Sequence, residues 1–436
     1  MKKFTLLNFA LLILISANLK AQETTSSVDE RLSKAESEIS ILKKVKISGY
    51  LQAQYQRSDS NGAATVAGGA FAANSNQRFM LRRGRIKAVY DGGLTQLVFE
   101  MDIVEPSPVL GSANAVNIRD FYAKISMPFY KDLSITTGMQ YRPFGFEQQY
   151  SSSMNESPEL TRLVNNVFPN ERDLGAMITL KAPKEMELLH CLTLKAGIFN
   201  GQGIAKNTSG NLDMIGQLYF ERTTKNEKIA YRLGGSYYSG AMLNGDKTIY
   251  SMGTNAAGEK AFIADTANGS SNIYKSVNRQ YYGVDAQITI DNPAGMSTLR
   301  AEYVAGRQPG TASTSKSLDV DPKVNAVGPT YLRDFSAYYV TFAHKIHKTP
   351  FQVVVRYDVY TPNTKVSGNE ITTANKFGKG DISYTTLGYG LNYFMTNNVK
   401  FTAYYDMVTN DSKVLISGVG YAQKLNIFTL RMQYKF

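Results

Sequence analysis

The chain has 436 residues, with 48 Lys and Arg against 36 Asp and Glu, one Cys, three His and no Trp. Cys191 alone excludes a disulfide framework or a Cys-based metal cluster, and His190, His344 and His347 leave little for a His-rich metal site or catalytic network. A charged fraction of 19% beside 28 Tyr and 21 Phe does not fit disorder, and the net charge of +12 favours anionic partners of no stated kind.

Residues 1–21 read as a secretory signal peptide. Lys2 and Lys3 form its basic start, Leu6 to Ile15 its apolar stretch, and Ala21 the small residue before cleavage. The apolar part is shorter than the ~20 residues a spanning helix needs, and no later run is long enough, so membrane insertion of the exported chain must use strands. No Cys follows the cleavage point, which excludes lipid attachment there. Cleavage removes Lys2, Lys3 and Lys20 and leaves a balance of 45 − 36 = +9.

Residues 22–44 predict a short periplasmic helix. Val28, Leu32, Ala35, Ile39 and Leu42 recur at heptad spacing, with charged residues on the other faces, and Ser27 with Glu30 has the form of a capping box. An isolated helix of this length is marginal in water. Self-association as a coiled coil would cover its apolar stripe; so would docking on the protein's own body.

Residues 45–436 repeat runs of ~10–14 residues in which apolar and polar side chains alternate. The last run is the clearest: Phe428, Leu430, Met432, Tyr434 and Phe436 share one face, and Thr429, Arg431, Gln433 and Lys435 the other. Strands of a soluble sandwich have a mode of ~5–6 residues. These runs have the length of tilted strands that cross a bilayer, with Tyr and Phe near their ends as an interfacial girdle requires. Counting them predicts an all-β fold, a 16-stranded antiparallel transmembrane β-barrel in outer-membrane lipid. Tight connections, such as 91–93, 128–131, 183–187 and 396–398, take turns with long ones, such as 58–76, 143–172, 240–278 and 410–423. An up-and-down barrel needs this order, with short turns on the periplasmic side. The polar strand faces then surround a lumen wide enough for water.

No catalytic constellation appears, and no cofactor or metal pattern; the enzyme reading is set aside. The basic residues say more. Arg83, Arg85 and Lys87 share one face of the run 77–91, ~6.6–6.8 Å apart along the strand. With Ile86, Ala88 and Tyr90 toward lipid, they form a ladder in the lumen; Arg82, of opposite parity, belongs near the rim or in a twisted segment. Arg and Lys rings select anions in pores. The plainer reading is that Glu100, Asp102, Asp120, Asp285, Glu302 and Asp358 share the lumen and pair with the basic groups, organising water and field.

The connection 143–172 is too apolar for a solvated loop. Leu160, Leu163, Val164, Val167 and Phe168 would be buried if it folded into the barrel, narrowing the channel and bringing Arg162 and Arg172 to the constriction. Ser157 and Pro158 read as the start of a short helix in it. Packing outside, at a subunit interface, is the alternative.

Three segments together resemble the phosphate-selective porin O/P family: Arg82-Arg83-Gly84-Arg85, then Gly138 to Glu147 (GMQYRPFGFE), then Phe168 to Gly175 (FPNERDLG). The resemblance spans about 77–182 and is architectural beyond. It implies a homotrimer of 16-stranded barrels, each with an inward-folded third loop and an arginine-lined pore leading to a lysine-rich periplasmic vestibule. Arg82 and Arg83 match the family's early Arg-Arg pair and Arg172 its Arg-Asp after the loop; Arg142 departs from the residues usual before Pro-Phe-Gly. The chain end at Phe436 is similar to the signal read by the barrel-assembly machinery. The function expected is passive diffusion of small anions across the bacterial outer membrane, phosphate or polyphosphate favoured, through Arg82, Arg83, Arg85, Lys87, Arg162 and Arg172, with nucleic acid unlikely as a partner. The alternatives are a general or sugar-permeable porin, with Tyr122, Tyr219, Tyr282 and Tyr404 as a greasy polar track, and a structural or adhesive barrel binding a partner through 240–278.

Overall fold

The computed structural model describes residues 28–103, 116–203, 207, 210–265, 272–317, 328–371, 374–412 and 425–436. The expected signal peptide, residues 1–21, and the expected Ser27 cap lie outside them. The chain divides into two units, Met1–Lys46 and Ile47–Phe436. The first holds α1 (Val28–Leu42), whose heptad residues Leu32, Ile39 and Leu42 are 56%, 49% and 68% exposed, so among the described residues of this unit nothing covers them.

The second unit is a closed antiparallel barrel. Its strands are β1 (Val45–Ser58), β2 (Gln77–Asp91), β3 (Thr95–Ile103), β4 (Val116–Met127), β5 (Tyr130–Tyr141), β6 (Arg172–Lys181), β7 (Leu192–Phe199), β8 (Asp213–Thr223) and β9 (Ile229–Leu243). After a hairpin of β10 (Ile249–Thr254) and β11 (Lys260–Asp265), the wall continues with β12 (Ser276–Asn292), β13 (Gly295–Gly310), β14 (Thr330–Ile346) and β15 (Phe351–Thr361). It ends with β16 (Tyr384–Phe394), β17 (Val399–Asn410) and β18 (Ile427–Lys435). Each wall strand pairs with the next, β9 pairs with β12, and β18 closes on β1 from Tyr50↔Lys435 to Ser58↔Ile427. Of the eighteen strands, β10 and β11 form a hairpin outside this ring, joined to it by strand pairing where Ile249 and Tyr250 run parallel to Thr330 and Tyr331 of β14, which leaves sixteen in the wall. Closure leaves no unpaired edge in the bilayer, where each bare backbone group costs several kcal/mol.

Alternation decides the faces. On β18, Phe428, Leu430, Met432 and Tyr434 are exposed outward while Thr429, Arg431 and Gln433 are buried inward. The same rule turns Tyr282 outward, where it packs on Tyr237, while its neighbour Tyr281 is buried inside. Tyr282 therefore lines no lumen track, and Tyr404 is buried at 1% exposure.

Two connections differ from the expected ones. The loop expected over 240–278 contains the end of β9, the β10–β11 hairpin and the start of β12. Phe262 of the hairpin packs with Tyr331, Val366, Ile371, Phe377 and Ile382, so an apolar cluster at the long-loop end orders this segment. The tight turn expected at 183–187 spans 182–191 and includes a 3-10 turn at Leu189–Cys191, so β7 begins at Leu192 and not at 188.

Candidate functional site

The connection 142–171 between β5 and β6 lies against the inner faces of the wall strands. Phe144, Leu160, Leu163, Val164, Val167 and Phe168 are at most 2% exposed and join Phe199, Ile215, Tyr238, Tyr281, Val304 and Phe335 in one apolar cluster. Full burial of such a side chain contributes ~1.5–3 kcal/mol. A wide barrel cannot fill its own lumen, so this loop supplies the apolar interior that the upper halves of β7–β9 and β12–β15 require.

Its polar groups bind the remaining wall. The Phe146 and Glu147 amides donate to Glu302 Oε2 at 3.3 and 3.2 Å, and the Gly145 amide to Ser236 Oγ at 3.0 Å. Gly145 is fixed by sterics, because its φ is +57° and a Cβ there would collide with the Glu302 carboxylate. Arg300 pairs with Glu156 at 3.2 Å, Lys400 donates to Asn155 O at 2.8 Å, and Arg356 to Ser157 Oγ at 2.8 Å. A short helix, α2 (Arg162–Val167), follows with Thr161 as its cap. The start expected at Ser157 is not used: Ser157 Oγ donates to Glu159 O, and residues 157–160 stay outside the helix, with the Glu159 side chain reaching the arginine wall.

Glu159 is the tether. Arg82 of β2 binds it through two contacts, Nε–Oε1 at 2.8 Å and Nη2–Oε2 at 2.9 Å; Arg83 reaches Oε2 at 3.0 Å and Arg431 of β18 reaches Oε1. Burial raises this carboxyl, but the three guanidinium groups outweigh it and hold it well below the usual carboxylate range. Arg82 and Arg83, neighbours on β2, both reach Glu159, and Phe79 and Ile86, seven residues apart, are both exposed, so the faces of β2 do not alternate strictly between them. Arg82 is thus a lumen residue and not a rim residue.

The loop therefore engages β1, β2, β7–β9 and β12–β18, and the charged wall of β2–β6 faces its end at Glu171. There the charges form a compensated cluster. Arg85 binds Asp102 at 2.9 Å and Glu100 at 3.4 Å; Lys87 lies 3.7 Å from Glu100 and 3.9 Å from Asp120. Arg172 binds Asp120 at 2.9 Å and Glu171, and lies over the Tyr141 ring at 3.7 Å. Arg119 approaches Glu171 at 3.3 Å. It does so because the β3–β4 register skips it, from Glu100↔Asp120 to Met101↔Ile118, so bulged Arg119 and adjacent Asp120 both enter the site. Asn170 and Glu171 hold φ of +62° and +61°, a conformation that costs non-glycine residues ~1–3 kcal/mol and that the two arginines on Glu171 sustain. Burial raises the Glu171 carboxyl, but Arg119 and Arg172 bring it down to about 2.

Of the six residues named from the sequence, Arg85, Lys87 and Arg172 meet in this cluster, and Arg82 and Arg83, which hold Glu159, line one cavity with Arg85. Arg162 does not join them. Its amide donates to Asp358 Oδ2 at 3.1 Å and its guanidinium covers Tyr384 at 4.3 Å, on the β15–β16 side. The sequence reading missed Arg119, hidden by its bulge, and Arg431, visible on the polar face of the last run but not weighed.

A cavity adjoins the cluster at each end. One of about 400 Å³ toward the long loops is lined by Arg82, Arg83, Arg85 and Arg119, with Asp102 and Glu171. The other, about 450 Å³ toward the short turns, is lined by Lys124, Lys195 and Arg232 among Tyr122, Tyr141, Phe146, Tyr150 and neutral polar groups. No carboxylate lines the second.

No family model matches the sequence, and no curated protein matches it. Solved structures do. The high-pH structure of Pseudomonas putida OprB is similar at TM-score 0.57 and 11% identity, over 93% of this chain and 97% of that one. OmpF of Salmonella typhi in complex with daunomycin is similar at 0.53 and 12%, over 90% and 97%. An anion-selective porin from Comamonas acidovorans is similar at 0.52 and 10%, over 90% and 99%. At such identities the likeness is one of fold: the chain has the β-barrel fold of outer-membrane porins.

Proposed function

We propose that the protein is an outer-membrane porin for passive diffusion of small solutes that favours small anions, phosphate and polyphosphate among them. One observation carries the preference. The charged cluster sets Arg85, Lys87, Arg119 and Arg172 against Glu100, Asp102, Asp120 and Glu171, which cancels their charge, whereas the cavity beyond it is lined by Lys124 and Lys195, neither in an ion pair among the described residues, and by Arg232, which pairs with Asp285. A solute leaving a neutral constriction into a positive chamber is selected for negative charge. Arg82 and Arg83 serve this reading as holders of Glu159, and so of the loop, more than as ligands. The exported chain then sits in outer-membrane lipid as a homotrimer, with Phe436 as part of its assembly signal.

Planar-bilayer recording in a salt gradient is the test. An anion-selective reversal potential is expected; cation selectivity, or no conductance, rejects the proposal. The cancelled charge of the constriction favours a second reading, a general or sugar-permeable porin. Under it, oligosaccharides block the chloride current and phosphate does not.

A further inference from the structure

The two cavities beside the constriction differ in chemistry. The one toward the long loops offers arginines, backbone and a single aromatic ring, Phe168. The one toward the short turns sets two lysines among four aromatic rings. We propose that this second cavity is a binding site for small organic carboxylates with a flat apolar ring. The inference rests on the channel reading above and names the solute class its positive chamber retains.

The cations decide the charge of the ligand. Arg232 is engaged by Asp285 at 3.1 Å and lies over Tyr219 at 4.0 Å. Lys195 Nζ donates to Gln149 Oε1 at 2.8 Å, a neutral acceptor. Among the described residues neither Lys195 nor Lys124 has a carboxylate in ion-pair contact. An ammonium has three donors, so Lys195 keeps two and Lys124 its full set for an anion. The constriction next to them behaves otherwise, since Arg85, Lys87, Arg119 and Arg172 all meet carboxylates.

The rings decide the body of the ligand. Phe146 and Tyr150 lie with centroids 5.1 Å apart, with Arg232 and Arg300 over Phe146 and Arg300 over Tyr150; Tyr141, under Arg172, and Tyr122 line the same chamber, so Tyr122 is the ring that the ligand's ring would meet. Aromatic faces gain from a flat apolar ring in offset or edge contact. They give nothing to inorganic phosphate, which is best held by paired guanidinium forks, and the forks here are already occupied. About 450 Å³ lies within the ~300–1,000 Å³ of small-molecule sites.

The experiment uses the unmodified channel in a planar bilayer, carrying chloride current, with benzoate, acetate and benzyl alcohol as probes. Benzoate should block at a concentration about tenfold below acetate, and benzyl alcohol should not block. Lys124→Gln combined with Lys195→Gln should abolish the benzoate block, and Tyr122→Leu should bring benzoate close to acetate. Equal block by benzoate and acetate, or block by benzyl alcohol, overturns the inference, and the wild-type comparison depends on no variant folding. Cation preference in the salt gradient would instead remove the channel reading itself. Anion preference with benzoate no better than acetate would remove this inference alone.

Discussion

Arg82 on β2 and Glu159 on the inward loop form a two-pronged ion pair, 2.8 and 2.9 Å, that joins a residue of the wall to one 77 positions later in the chain. Arg83 and Arg431 complete the grip on the same carboxylate. The loop is held over the lumen by this charge and by its apolar underside, so its position is a matter of stability as much as of permeation.

Glu159→Gln should release the middle of the loop while the barrel remains folded. Removing one partner of a buried ion pair costs ~3–5 kcal/mol, because the other charges stay buried and unmatched. Three uncovered guanidinium groups would also face the lumen. Single-channel recording should show a larger, noisier conductance with stronger anion preference. A conductance and noise equal to wild type would show that Glu159 does not hold the loop.

Arg85→Ala should move selectivity toward cations, since Asp102 loses its matching charge and Glu100 keeps only Lys87 and Arg172. A change of about twofold or more in the permeability ratio is expected for a charge lining a narrow, low-dielectric passage. Arg83→Ala should alter conductance noise more than selectivity, because its partners are Gln52 and Glu159. An unchanged reversal potential in the Arg85 variant would place the passage elsewhere.

Docking of the loop should depend on pH in two opposite ways. Glu159 and Glu171 have folded values below their unfolded ones, so the stability they lend is complete above pH ~4.3 and drains as pH falls toward 2. Glu147 runs the other way. Burial pushes it up to about 7, against the lowering effects of Arg356 and Thr161, so the docked loop holds this proton more tightly than a free one. Docking then weakens as pH rises from ~4.3 to 7. Gating noise recorded from pH ~3 to 8 should be least near pH 4–5, and Glu147→Gln should remove the rise toward neutrality. Noise that is flat in wild type over the whole range would contradict this.

Deleting Glu23–Lys44 should leave the barrel intact and loosen the assembly. The stripe of Leu32, Ile39 and Leu42 is exposed within its own unit, and an amphipathic helix of this length needs a partner for that face. Size-exclusion chromatography in mild detergent should show a shift from trimer toward monomer. A trimer of undiminished stability would leave the helix without a role in association.

Period two alone determined the barrel. Residues such as Phe428, Leu430 and Met432 against Thr429, Arg431 and Gln433 state which side meets lipid, because a strand has only two faces and one-residue slips exchange them. Alternating connection lengths fixed the up-and-down order, and the apolar content of 143–172 announced that this loop could not stand in water. The tertiary structure decided what the loop touches. Nothing local in Glu159 says that Arg82, Arg83 and Arg431 will converge on it, since those partners lie 77, 76 and 272 positions away. The bulge in β4 puts Arg119, and the broken alternation of β2 puts Arg82, where strict alternation would not. Arg162 inside the loop and Arg172 just after it turn to different walls. Charges pair with whatever closure of the barrel brings within reach, and that distance is set by the whole ring of strands, not by the neighbours in sequence.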